Sequence, residues 1–216
     1  MSKTKFCYYV NKEFNIVNHI NGIVPRFKGM IIMAVDSGIP DVQKMSKERN
    51  IEGLIKALEY RAFERKKWEA AAAVRENAAI ALGEIGDIRA VKPLIKALAE
   101  LQYGSHSIDY RARDALCKIG KPSVDSLIIA LGCDPDEKVR YHAAKCLGKI
   151  CDNSAVEPLI NALLYDKSHS VRYHAAEALG NIGDMRAFIP LKKAVSDRDS
   201  LVHDWAEWAL NKLRRF

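Results

Sequence analysis

From residue 51 onward the apolar positions fall at helical spacing, and the pattern returns. Val74, Ala78, Ala79, Leu82 and Ile85 share one face, because residues three and four apart stack over one another on a helix. The segment Val74–Asp87, V-R-E-N-A-A-I-A-L-G-E-I-G-D, recurs as Val139–Asp152 and again as Val171–Asp184. Degenerate copies run from Ile108 to Gly120 and from Val202 to Leu213. The copies begin at 74, 108, 139, 171 and 202, giving periods of 34, 31, 32 and 31 residues. Gly86 and Gly183 suit a helix C-terminus, and Asp87, Asp152 and Asp184 suit the cap of the next helix. A second helix then reads Ala90–Leu98, with partners at Ala155–Leu163 and Ala187–Val195 and with Pro93, Pro158 and Pro190 in one register. The copy at Ser123–Leu131 has Ser126 there, and a lone early copy, Ile51–Leu58, opens the series. Five helices of each type alternate, and neither type can bury its apolar face alone, so stacking makes the core. The prediction is an all-α fold, an α-solenoid of about five helix pairs over residues 51–216, with residues 1–50 as a non-repeat extension.

The paired signatures V-R-x-x-A-A-x-A-L-G-x-I-G-D and A-V-x-P-L-I-x-A-L resemble the HEAT-like repeat named after phycobilisome lyases. The resemblance covers Ile51 to Leu213. It implies a curved array of antiparallel helix pairs (an α/α superhelix) that binds another macromolecule, with the second helices lining the concave groove. It also implies a ladder in which the Asp of one unit pairs with the Arg of the next, assigning a structural role to Arg75, Arg140, Arg172, Asp87, Asp152 and Asp184. That ladder should falter where Asp109 stands at the Arg position and Lys121 at the Asp position; His203 replaces Arg in the last unit. Some members are enzymes or enzyme subunits, among them bilin lyases, deoxyhypusine hydroxylase and, more distantly, alkylpurine DNA glycosylases. The fold therefore leaves function open.

Irregularities mark the places where units differ. The link Glu59–Glu69 is long and helix-compatible, which extends the first helix of the 74 copy by extra turns. Gly104-Ser105-His106-Ser107 reads as an exposed loop, and Gly120-Lys121-Pro122-Ser123 replaces the usual Gly-Asp turn. Before residue 51, Phe6–Val10 and Phe14–Ile20 are aromatic and β-branched, and Asn21-Gly22 is a hairpin turn ahead of Ile23-Val24. This predicts a small β-meander, or else a partly disordered extension, with a short helix near Asp41–Lys47 after it.

Composition changes the picture in two respects. Aromatic residues are only 8% of the chain, so the core is built from small and aliphatic side chains. The net charge of +7 would favour nucleic acid or an acidic surface. Residues 1–50, however, carry eight Lys and Arg against four Asp and Glu, so more than half of the excess lies outside the repeats. No apolar run reaches the roughly 20 residues of a spanning helix, and the N-terminus lacks the apolar core of a signal peptide. Five cysteines occur without a C-x-x-C pair. Cys117, Cys146 and Cys151 fall where other copies carry Gly or Ala, so they read as packing residues of a reduced, cytoplasmic protein.

Candidate chemistry is sparse. His142 and His174 occupy equivalent positions, each after a tyrosine (Tyr141, Tyr173). Deoxyhypusine hydroxylase binds iron through adjacent His-Glu pairs on such helices, whereas this chain has His-Ala twice and His203-Asp204 last. Packed helices lie about 8–10 Å apart, too far for equivalent nitrogens to converge on one ion about 2 Å from each. The reading is an exposed Tyr/His strip without a metal. Trp205 and Trp208 on the last helix either anchor a partner or shield the open end of the stack. Arg61, Arg65, Lys66, Lys67 and Trp68 form a basic and aromatic cluster, interrupted by Glu59, Glu64 and Glu69 and best read as a solvated helical face. The second helices expose Lys92 and Lys96, Asp125 and Ile129, Glu157 and Asn161, Ile189 and Lys193. A phosphate-backbone groove would show one sign throughout. No phosphate loop, nucleophile motif or catalytic carboxylate pair is present. The sequence thus predicts a non-catalytic scaffold or adaptor, with no cofactor, that binds another protein through the concave groove and the aromatic last helix. The alternatives are an enzyme or enzyme subunit of the bilin lyase-like or metal-dependent hydroxylase-like kind, and a nucleic-acid-binding solenoid.

Overall fold

The computed structural model describes residues 38–61, 67–99 and 108–214. Regular structure among them is wholly helical. The expected β-meander and the Gly104–Ser107 loop lie outside the described residues, as do Arg65 and Lys66. Helix α1 (Val42–Lys47) starts where expected, with the Asp41 side chain accepting from the Lys44 amide at 2.9 Å. It packs against α2 (Ile51–Leu58) and α3 (Trp68–Ile85), so the compact unit begins at Ile39, ahead of the first repeat.

Beyond α3 come α4 (Val91–Ala97), α5 (Ile108–Ile119), α6 (Val124–Cys133), α7 (Glu137–Ile150), α8 (Val156–Tyr165), α9 (His169–Ile182), α10 (Phe188–Ala194) and α11 (Ser200–Leu213). The V-R-x-x-A-A helices α3, α5, α7, α9 and α11 stack on one another as a first row. The A-V-x-P-L helices α2, α4, α6, α8 and α10 stack as a second row. Each second-row helix packs on the first-row helix that comes after it, which makes five pairs. Helix α3 has 18 residues against 14 in α7, the added turns running into the alanines at 70–73. It begins at Trp68, however, and does not run through from Glu59 as the composition of that link allowed.

These helices are too short to be stable alone, and packing of their apolar stripes holds them. Leu82, Leu116, Leu147 and Leu179 occupy one position in four successive copies and are fully buried. Each contributes about 1.5–3 kcal/mol of transfer free energy. The punctuation also agrees with the sequence. Gly86 and Gly183 end α3 and α9 in the left-handed region at φ 73° and 78°, and Cys151 ends α7 there at φ 56°. Asp87, Asp152 and Asp184 each cap a single 3-10 turn, accepting from the amides of Arg89, Ser154 and Arg186.

The two rows are spaced differently. A Cβ added at Gly83 would lie 2.6 Å from the Cα of Ala115, and one at Gly148 would lie 2.6 Å from the Cα of Ala178. At Gly180 the Cα of Ala209 stands at 3.0 Å and the Trp208 ring at 2.7 Å. Glycine facing alanine thus lets first-row backbones nearly touch. The second row leaves shallow clefts. One of about 160 Å³ lies between α2 and α4 and is lined by Leu58, Pro93, Lys96 and Ala97. Another of about 140 Å³, between α6 and α8, uses the equivalent Leu131, Pro158, Asn161 and Ala162.

Candidate interaction surface

The arginine ladder exists, but with other acids than expected. Arg140 donates from Nε and Nη2 to both oxygens of Asp166, at 2.8 and 3.0 Å. Arg172 meets Asp197 in the same way at 2.8 and 2.9 Å. The third nitrogen, Nη1, reaches back to the carbonyls of Asp134 (2.9 Å) and Asp166 (3.0 Å) in the preceding turns. Each guanidinium therefore clamps two successive α–α turns. Asp87, Asp152 and Asp184 take no part: they lie at the opposite, 3-10 end of the first-row helices, and Asp87 and Asp184 pair with Arg89 and Arg186 two residues on. The signal available in sequence is an Asp six residues before Arg140 and Arg172, at 134 and 166, with a third at 197 ahead of the last copy. Burial raises the Asp197 carboxyl, but the Arg172 hydrogen bonds, the Asp199 amide and the charges of Arg172 and Arg198 together outweigh it and hold the group below the ordinary carboxylate range. Asp109, at the Arg position of α5, is buried and 3.7 Å from Nε2 of His142, so the ladder does falter there. Arg75 is also buried, with Nε donating to the Ala71 carbonyl.

The Tyr/His strip is not exposed. His142 has no accessible surface and His174 only 7%, because each points at the preceding first-row helix, His142 at Asp109 and Tyr110 and His174 at Tyr141. The rings interleave: Tyr110 to His142 at 5.7 Å, Tyr141 to His174 at 5.4 Å, and Tyr173 to its neighbour His174 at 4.0 Å. Neither nitrogen of His142 has a hydrogen-bond partner among the described residues, and burial lowers its pKa to about 3. Burial also lowers His174, against the opposing hydrogen bond with Glu177 at 3.0 Å. Tyr141 is half-buried, and desolvation pushes its hydroxyl up to about 12. No group of three or more His, Cys, Asp or Glu converges for a metal ion among the described residues.

Trp205 is partly buried against the core, and Trp208 is 39% exposed. Their rings meet edge to face at 5.2 Å, Trp208 covers Gly180, and Lys212 stands 4.9 Å above it. This is the geometry of an end shield that leaves one ring face wet. Arg61, Lys67 and Trp68 are exposed and hold interactions of their own.

The second-row residues are exposed as the helical phase predicted: Lys92 and Lys96, Asp125 and Ile129, Glu157 and Asn161, Ile189 and Lys193. Ile129 is 65% exposed and Ile189 59%. Sequence reasoning missed Tyr165, which is 77% exposed at the rim of the α6–α8 cleft. Lys96 is partly neutralised by Glu59 at 2.7 Å, so the face carries no single sign. Both clefts are well below the roughly 300–1,000 Å³ of small-molecule pockets. No described helix is long and apolar enough to cross a membrane.

Comparisons with known proteins agree with the fold. A family model for HEAT repeats matches residues 124–211, and one for the PBS lyase HEAT-like repeat matches residues 74–100. No curated protein matches the chain. Among solved structures, the complex of CpcE and CpcF of phycocyanin lyase from Nostoc sp. PCC7120 is similar at 26% identity and TM-score 0.53, covering 77% of this chain and 65% of that one. Human deoxyhypusine hydroxylase in complex with glycerol is 21% identical, covering 81% and 77% of the two chains at TM-score 0.46. A designed armadillo repeat protein is likewise 21% identical, covering 84% and 89% at TM-score 0.40. With its repeats matched on both sides of α5 and its helices stacked in two rows, the chain is a HEAT-like repeat protein whose units include the PBS lyase HEAT-like repeat.

Proposed function

We propose that the chain is a protein-binding scaffold or adaptor that uses its second-row face. The observation that carries this reading is that Ile129, Tyr165 and Ile189 stand exposed on successive second-row helices or at their ends, among charges of both signs. Core packing uses none of them at these exposures. Single exposed apolar residues are ordinary; three on one stacked row, with Tyr165 lining a shallow cleft, suit an extended polypeptide better than a small molecule. The first row is closed by Gly–Ala contact, whereas this second-row face keeps shallow clefts open between its helices. The half-buried tyrosines of the first row and the wet face of Trp208 form a second, smaller contact zone. Mixed charge argues against a phosphate backbone as the ligand.

The test is affinity capture from the native source with the wild-type chain and with the triple variant Ile129→Ser, Tyr165→Ser, Ile189→Ser. A partner held by the wild type and lost from the variant, at equal Tm, supports the reading. The same partner on both would refute it.

The likeness to the CpcE–CpcF complex favours a second reading, in which the chain is one HEAT-repeat subunit of a lyase-like enzyme. Covalent transfer of a linear tetrapyrrole to a protein acceptor, detected by absorbance on a denaturing gel, would distinguish the two.

A further inference from the structure

The first-row helices touch at a fixed register. The ninth residue after the start of each Val-Arg copy meets the seventh residue after the start of the next: Gly83 meets Ala115, Gly148 meets Ala178, and Gly180 meets Ala209. At the remaining interface, between α5 and α7, the same two positions are Cys117 and Cys146. Two larger side chains at the point of closest approach hold those helices apart, and α5–α7 is the most loosely packed first-row interface. The sulfurs meet in the gap that this creates, with Sγ to Sγ at 3.1 Å although they lie 29 positions apart in sequence. Both thiols are free. A disulfide needs about 2.05 Å, so bonding requires the two sulfurs to close by about 1 Å.

We propose that Cys117 and Cys146 form a reversible disulfide that staples α5 to α7. The surroundings divide the roles between them. Cys117 is only partly buried, and the hydrogen bond it shares with Cys146 draws its thiol below the ordinary range, with Lys149 and Arg113 adding to the effect against burial. Cys146 is fully buried, which pushes its own thiol up. Cys117 is thus the sulfur an oxidant meets first, and Cys146 resolves it. With hydrogen peroxide as oxidant, Cys117 gives up its proton and its sulfur attacks one oxygen. An S–O bond forms, the O–O bond breaks, and the departing hydroxide takes the Cys117 proton as water. Cys146 sulfur then attacks Cys117 sulfur, the S–S bond forms, the S–O bond breaks, and the second hydroxide leaves as water with the Cys146 proton. Two thiols lose two electrons and two protons, and one hydrogen peroxide becomes two waters. A small thiol reverses the bond by exchange. The staple converts the loosest first-row layer into a covalent one, fixing the angle between the two parts of the array that flank it.

The full chain is treated with hydrogen peroxide, blocked with an alkylating agent and mapped by non-reducing peptide mass spectrometry. The expected product is a Cys117–Cys146 linked peptide lacking two hydrogens. It should be accompanied by a rise in Tm of roughly 5–10 °C that dithiothreitol reverses. Cys146→Ala restores the residue found at the other interfaces and Cys117→Ser keeps the size, so both variants should fold and neither should show the link or the rise. The proposal is overturned if exposed Cys133 and Cys151 oxidise while Cys117 and Cys146 stay separately alkylatable. It is equally overturned if the Tm rise survives in either variant.

Discussion

The two rows of helices come from one repeat, yet they use their outward positions differently. In the first row, glycine faces alanine at three of four interfaces, and side chains between the helices are consumed by packing: His142 and His174 are buried, and Arg140 and Arg172 clamp the turns. In the second row, Pro93 and Pro158 line clefts, and Ile129, Asn161, Ile189 and Lys193 remain in water. Close packing and recognition compete for the same surface, and here each has a row to itself.

The largest effect should come from the clamp. Arg140→Leu leaves Asp166 buried without its cation, which costs about 3–5 kcal/mol, read as a lower midpoint in urea unfolding. Next is the close contact itself. Gly148→Val must push aside the Ala178 backbone, costing about 1–3 kcal/mol or more, whereas Gly132→Val on the second row meets nothing within 4 Å and should cost no more than a surface change. The histidine contrast is one of pH. His142 binds a proton near 6.5 when unfolded but only near 3 when folded, and Asp109 at 3.7 Å lies beyond hydrogen-bond reach. Its contribution is therefore complete above pH 6.5 and is lost as pH falls toward 3, on the order of 2 kcal/mol by pH 5. His142→Asn should flatten that slope between pH 7 and 5, and flattening by His169→Asn, at an exposed residue, would contradict the assignment. A smaller gain is expected from Cys151→Gly: φ of 56° suits glycine, and stability should rise by about 0.5–1 kcal/mol. Smallest of all, Ile189→Ser or Lys193→Ser should change stability by about 0.5 kcal/mol or less while weakening partner capture.

Much of the fold is legible in the chain because repetition amplifies weak signals. One V-R-x-x-A-A segment would be an ambiguous helix; five at a period near 32 define helix ends, caps and the buried leucines. The ladder acids are harder to read. An Asp after a Gly looks like a partner in register, whereas the turn residues Asp166 and Asp197 sit in segments whose sequence varies between copies. The Tyr/His strip is opaque for a related reason. Helical phase tells which side of a helix a residue occupies, but not whether a neighbouring helix stands there.

Local spacing and capping were enough to set the repeat helices, most of their ends and their alternation, and these can be read along the chain. Only the assembled stack settles which row packs closely, which carboxylates meet the arginines, that the histidines are dry, and that Cys117 faces Cys146. Those outcomes depend on the distance between helices, and that distance is set jointly by the side chains of both partners at the crossing point.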